Sequence, residues 1–275
     1  MKILIINPPA QNIIPEYPDA KGEKYIESDA FGRFPPLGAL YVLTYLQKHT
    51  HGHELFFKDC VGENMSMEDL KAYLSDVEPD MVGITSFTIS LIDVVDAARL
   101  VREINSSAHI CLGGHHPTSF PVEAAALEAF DSIIVGEGER AFTDLVEAVA
   151  SGLPVTGITG VYTKESIGIS ARCAPDERFL VKTRFPSGYM DDIDSLPFPD
   201  RRFIRHISYQ SVVGVSAKLA TIISSRGCPF KCTFCDVPYK KYRERSVERV
   251  IPLVPTLCVG MVLWTLCVRY DETML

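Results

Sequence analysis

Over the first 150 residues, five short apolar runs alternate with five segments patterned as helices, and that alternation leaves few architectures open. The runs lie at residues 2–6, 54–58, 80–85, 109–112 and 132–135. Apolar residues at helical spacing mark 36–47, 66–76, 91–104, 122–130 and 140–150, with Ser66 standing where an N-cap belongs. The runs are apolar along nearly their whole length, as parallel strands covered on both faces must be. The expected fold is α/β: a doubly wound, parallel, Rossmann-like (flavodoxin-like) sheet over residues 1–152.

Ligands of such sheets bind where the strands end at their carboxyl side. In this chain small and polar residues collect there: Asn7-Pro8-Pro9, Asp59, Thr85-Ser86, Gly113-Gly114-His115 and Gly136-Glu137-Gly138-Glu139. Small residues let backbone approach a ligand, and helix N-termini present free N–H groups. The ligand-facing candidates are Thr85, Ser86, Gly113, Gly114, His115, Gly136, Glu137 and Gly138, with His116 beside them. The two acids of the Gly-Glu-Gly-Glu turn argue against an anion there. Its glycines fit a tight turn facing a ligand, and Glu139 falls near a helix start.

Residues 157–163 read as one more strand. Residues 153–215, where Pro, Asp, Arg and Gly recur, read as a linker. A new strand is expected at 219–224, running into Ser225-Arg226-Gly227-Cys228 and opening the next domain, 216–275.

With 275 residues, 47% hydrophobic and 23% charged, the chain has material for a sizeable core. Its net charge of −8 gives no footprint for nucleic acid. No membrane span is expected: the run at 2–6 is too short even for a signal-peptide core, and the stretch 251–268 is interrupted by Pro252 and Pro255. Of eight cysteines, Cys60, Cys111, Cys173, Cys258 and Cys267 are scattered, while Cys228, Cys232 and Cys235 fall within eight residues. That distribution favours a reducing, cytoplasmic setting and a metal site over disulfides.

Three thiolates so close can converge on one centre. A 4Fe–4S cluster takes four ligands, so three local cysteines leave one iron open to a substrate group. Zinc, or three structural cysteines, are the alternatives that spacing alone leaves.

The segment Ser225-Arg226-Gly227-Cys228-Pro229-Phe230-x-Cys232-x-Phe234-Cys235 resembles the signature of the radical-SAM superfamily. The resemblance implies that Cys228, Cys232 and Cys235 ligate a 4Fe–4S cluster. It also implies that S-adenosylmethionine chelates the open iron and that reductive cleavage yields a 5′-deoxyadenosyl radical. Phe234 then lies near the adenine. The first domain resembles the cobalamin-binding domain that precedes many radical-SAM domains, through Pro35-Pro36-Leu37-Gly38, Pro79-Asp80-Met81-Val82-Gly83-Ile84-Thr85, Gly113-Gly114-His115-x-Pro117-Thr118 and Gly136-Glu137-Gly138-Glu139. Asp194-Ser195-Leu196-Pro197-x-Pro199 resembles the family's linker. The likeness covers about residues 1–244 and is strongest to the anaerobic cyclases and methylases of tetrapyrroles, hopanoids and natural products. One departure stands out. Methionine-synthase-type domains carry an Asp-x-His-x-x-Gly loop whose His ligates cobalt from below; the matching loop here, Asp59-Cys60-Val61-Gly62-Glu63, has no His.

The resemblance implies radical methyl transfer, cyclisation or rearrangement of a small-molecule substrate, with electrons from a donor such as flavodoxin or ferredoxin. From about residue 251 the composition shifts abruptly and shows no clear period. The expectation is a truncated or frameshifted radical-SAM domain, the start of a partial (β/α) barrel, with no role for Cys258 or Cys267. The alternatives are a non-catalytic cobalamin or nucleotide module with a degenerate radical-SAM remnant, and a zinc-stabilised α/β protein.

Overall fold

A computed structural model describes residues 1–10, 32–167, 188–211, 221–230, 232, 233, 235 and 241–251. The chain opens with strand β1 (Lys2–Asn7), whose four central residues are all buried. A two-residue strand, β2 (Gly32–Arg33), leads to helix α1 (Leu37–His49). Strand β3 (Glu54–Asp59) and helix α2 (Met67–Val77) follow. Ser66 caps α2: its hydroxyl accepts from the Asp69 N–H at 3.1 Å while the Asp69 carboxylate accepts from the Ser66 N–H at 2.8 Å. This reciprocal capping box satisfies two N–H groups that the helix itself cannot. Next come β4 (Met81–Ser86), α3 (Leu91–Ile104) and β5 (His109–Gly114).

The helix expected over 122–130 is α5 (Pro121–Ala126), which ends four residues early, and a further short helix, α4 (His115–Ser119), precedes it with a break between them. The break falls at Phe120, whose φ of −131° and ψ of 59° are not helical, ahead of Pro121 at the first position of α5. Strand β6 (Ser132–Ile134) and helix α6 (Gly138–Ala150) complete the fifth unit. Of the strand expected over 157–163 only β7 (Val161–Tyr162) pairs, antiparallel to β6. Beyond it lie β8 (Gln210–Ser211), β9 (Ser225–Arg226), β10 (Arg243–Glu244) and the short α7 (Val247–Val250). Of the strand expected at 219–224, residues 219 and 220 lie outside the described residues and 221–224 are not paired; the strand that pairs there is β9.

The main sheet runs β3-β1-β4-β5-β6-β7, its first five members parallel. This is the flavodoxin-like order, with the topological switch between β1 and β4. Successive side chains of a strand point to opposite faces, so each strand feeds two cores. Ile3, Ile5, Met81, Cys111 and Ile134 pack with Leu40 and Leu43 of α1 and Phe142 and Leu145 of α6. Leu4, Ile6, Val82, Ile84, Ile110 and Leu112 pack with Leu70 and Leu74 of α2 and Val94 and Val101 of α3.

Of the expected linker 153–215, the described segment 188–211 is docked rather than free. Met190, Ile193 and Leu196 are buried with Tyr45 of α1. The Asp200 N–H donates to Thr44 Oγ1 at 2.8 Å, and β8 pairs antiparallel with β2. Tyr209 donates its hydroxyl to the Asp59 carboxylate at 2.7 Å. Asp59, buried at the end of β3, also accepts from Asn7 Nδ2 at 2.7 Å and from the Gly62 N–H at 3.1 Å. Hydrogen bonds to charged groups contribute about 1.5–3 kcal/mol. Tyr209→Phe is therefore expected to destabilise the chain by about 2 kcal/mol, measured by urea unfolding with an unchanged m-value.

No helix among the described residues is long and apolar enough to cross a membrane. Phe234, Cys173, Cys258, Cys267 and residues 252–275, including nearly all of the stretch 251–268, lie outside the described residues.

Candidate functional site

The carboxyl ends of β4, β5 and β6, with α1 and α6, enclose a cavity of about 510 Å³. Its walls are mainly apolar, among them Ile5, Val42, Ile134, Phe142 and Ile223. Ser225, Arg226 and Gly227 of the later segment close its far side. Volume and lining are those of a small-molecule site.

Seven of the twenty lining residues are glycine, and they do different things. Gly114 has φ +97°, and a Cβ there would lie 2.6 Å from the Ser86 backbone, so the turn leaving β5 requires glycine. Gly113 is unlike it: an added Cβ would meet only the Ile84 carbonyl at 4.0 Å, which leaves open cavity over this residue. Thr118 ties two of the loops together, donating its hydroxyl to the Gly114 carbonyl at 2.9 Å and accepting from the Gly136 N–H at 3.1 Å.

Thr85, Gly113, Gly114, Gly136, Glu137 and Gly138 thus all line one cavity. Ser86 and His115 do not. Ser86 is buried and donates its hydroxyl to the Gly113 carbonyl at 2.8 Å. His115 is exposed, its ring stacked on Phe87 at 6.2 Å. His116 is buried, with Nδ1 3.2 Å from Thr88 Oγ1; desolvation by that burial lowers its pKa and favours the neutral ring. Asp59 and Cys60 are outside the lining. The Asp59 carboxylate is held by three donors, and the Cys60 thiol is packed among the α2 and α3 side chains.

The Gly-Glu-Gly-Glu turn meets two arginines that the sequence reading did not single out. Arg243 donates Nη2 to Glu137 Oε1 at 2.7 Å and Nη1 to Glu137 Oε2 at 2.9 Å. Arg226 lies 3.4 Å from Glu137 Oε1 and donates to Glu139 Oε1 at 2.5 Å. Desolvation opposes the charge on Arg226, but Glu139 and Glu137 outweigh it and raise its pKa above the ordinary arginine value. Its guanidinium also lies over the Tyr41 ring at 5.0 Å. These partners are separated by 87 to 106 residues, so neither periodicity nor local spacing could have paired them.

β9 and β10 pair antiparallel and form the base of the loop that carries Cys228, Cys232 and Cys235. At its neck Gly227 has φ +84°, and a Cβ there would fall 2.1 Å from the Lys241 carbonyl oxygen. Cys232 is exposed and Cys228 and Cys235 are partly buried. Among the described residues no group of three or more His, Cys, Asp or Glu is gathered closely enough to hold a metal ion. The donor set itself, three free thiols on one short loop, fits the three protein ligands of a cluster with one open iron. The loop begins at the cavity, since Gly227 lines it and Cys228 is the next residue.

Buried thiols contrast with those on the loop. Desolvation pushes both Cys60 and Cys111 up to about 12. Iodoacetamide at pH 8 is therefore expected to label Cys232 in the folded, metal-free chain and to spare Cys60 and Cys111 until urea is added, as read by peptide mass spectrometry.

Residues 26–146 match the family profile of the B12 binding domain. The chain is 28% identical over 255 residues to an uncharacterized methyltransferase of Pyrococcus horikoshii, a match covering 91% of this chain and 49% of that protein. It is 25% identical over 229 residues to the anaerobic magnesium-protoporphyrin IX monomethyl ester cyclase of Rubrivivax gelatinosus, covering 82% of this chain and 39% of that one. Over 168 residues it is 26% identical to the cobalamin-dependent radical SAM methyltransferase TokK of Streptomyces tokunonensis, covering 58% and 22%. The chain thus spans at most about half the length of these curated relatives. Among solved structures, the cobalamin-dependent S-adenosylmethionine radical enzyme OxsB, with aqua-cobalamin and S-adenosylmethionine bound, superposes with a TM-score of 0.63 at 17% identity over 94% of this chain and 32% of that one. At that identity the likeness establishes the fold. The chain is thus similar over residues 26–146 to the B12 binding domain and, over most of its length, to curated methyltransferases and an anaerobic cyclase, one of them a cobalamin-dependent radical SAM methyltransferase.

Proposed function

We propose that this chain is the cofactor-holding part of a cobalamin-dependent radical SAM enzyme: the cavity takes cobalamin, and Cys228, Cys232 and Cys235 hold a 4Fe–4S cluster that binds S-adenosylmethionine at the cavity mouth. The observation that carries this reading is the continuity of the two sites, because the residue preceding Cys228 is itself part of the cavity wall. When bound, the cluster supplies the electron that cleaves S-adenosylmethionine, and the cobalamin supplies a cobalt able to carry a methyl group.

This chain's own residues bind, orient and exclude water. Ile5, Val42, Phe142 and Ile223 offer apolar walls, and a dry site strengthens every polar contact made inside it. Gly113 leaves room against the sheet for a flat or nucleotide-like group. Thr85 and the backbone around Gly136 supply polar contacts at strand ends. Asp59 and Cys60 are not among the residues that line the cavity: three donors hold the Asp59 carboxylate and Cys60 packs in the core, so any cobalamin would be held by other residues. The reaction is methyl transfer, cyclisation or rearrangement of a small molecule, and a low-potential donor such as a flavodoxin or ferredoxin reduces the cluster.

The cobalamin half is tested by equilibrium dialysis against hydroxocobalamin, with the visible spectrum of the retained corrin. Saturable retention at a single site per chain is the expected result. A folded chain that retains no corrin would refute it.

A further inference from the structure

We propose that Glu137 is the positioning residue of the cysteine loop: from the wall of the cavity it bridges two arginines that face each other across β9 and β10, balances their charge together with Glu139, and so closes the base of the loop. The proposal rests on the function above only in giving that loop a cluster to position.

The register makes the argument. Arg226 and Arg243 are direct Cα partners in the antiparallel pair, and Ser225 faces Glu244. Like charges directly opposite one another destabilise a strand pair. A ladder of two residues has little to offset that repulsion and is not stable alone. Glu137 Oε1 reaches both arginines, at 2.7 Å to Arg243 and 3.4 Å to Arg226. Its other oxygen accepts from Arg243 Nη1 at 2.9 Å and from the Met190 N–H at 2.7 Å. Glu139 pairs with Arg226, so two carboxylates balance two guanidiniums. The Glu137 and Arg243 side chains are only 3% and 4% exposed. In such a setting, removing one partner leaves an uncompensated charge and is strongly destabilising.

The device also touches the cavity. Glu137, Glu139, Arg226 and Gly227 all line it. A ligand in the cavity therefore packs against the groups that close the cysteine loop, and occupancy and loop closure stabilise one another.

The test is amide hydrogen exchange by mass spectrometry on the full chain, first without added iron or corrin. Glu137→Gln is expected to speed exchange in peptides covering 225–227 and 243–246 on the order of 100-fold, with β1, β4 and β5 unchanged. Glu137→Asp, which keeps the charge at shorter reach, is expected to restore part of the protection. Should Glu137→Gln fail to fold, Arg243→Lys, which keeps the charge and loses the fork, gives the same readout. Unchanged exchange at the ladder, or faster exchange spread evenly over the main sheet in both variants, would overturn the proposal. In a second arm, hydroxocobalamin is expected to slow ladder exchange in the wild type and not in Glu137→Gln. If the first arm succeeds and no corrin binds, the positioning role stands and the cobalamin reading fails.

Discussion

Gly113→Leu is expected to weaken hydroxocobalamin binding at least about 100-fold while the chain stays folded, because a single methylene in a fitted pocket already changes affinity about 10- to 200-fold. Gly113 is the position where a side chain would enter open cavity, since its Cβ would meet only the Ile84 carbonyl at 4.0 Å. It lies within β5 with no positive φ, so leucine meets no backbone strain there. The thermal midpoint is expected to move by only a few degrees, within the effect of about 1 kcal/mol. The neighbouring residue supplies the contrast. Gly114→Leu combines φ +97° with a Cβ placed 2.6 Å from the Ser86 backbone, and is expected to destabilise the fold itself by about 4 kcal/mol or more. Circular dichroism melts beside the binding assay separate the two outcomes. Full binding by a folded Gly113→Leu chain would remove the cavity from the account.

Replacing Cys228, Cys232 and Cys235 together by alanine is expected to take bound iron from about four per chain to the background level, with sulfide falling in parallel. The fold is expected to survive, because none of the three belongs to a core cluster and Cys232 is exposed. Corrin retention is expected to remain close to wild type, since none of the three lines the cavity. Iron and sulfide assays after anaerobic reconstitution, with corrin absorbance on the same samples, check both statements. A variant that keeps its iron would point to other ligands.

The main sheet was legible because its signals are local. The apolar run at 80–85 and the helical spacing at 91–104 each sit within one element, and Ser66 marks its helix by a cap three residues from its partner. The rule that ligands sit at strand carboxyl ends was enough to bring six of the eight candidates to one cavity. Ser86 and His115 depart from it because alternation turns Ser86 under its neighbour and the short helix α4 carries His115 outward. The early end of α5 at Ala126 was hidden by the Ala-rich stretch after Pro121, whose propensity favours a longer helix, and the five-residue α4 before it carries no helical period long enough to read. The strand that pairs is β9 rather than 219–224, with Arg226 facing Arg243 and lying beside a carboxylate from the first domain. Neither that pairing nor the contact of Tyr209 with Asp59, 150 residues apart, leaves a trace in sequence spacing.

The most direct test of the central claim is anaerobic reconstitution of the wild-type chain with iron, sulfide and hydroxocobalamin, followed by desalting and counting iron and corrin on the same sample. The account predicts about four iron per chain together with retained corrin. A soluble, folded chain that keeps corrin and no iron would reduce the protein to a cobalamin-binding module, and one that keeps neither would contradict the account outright.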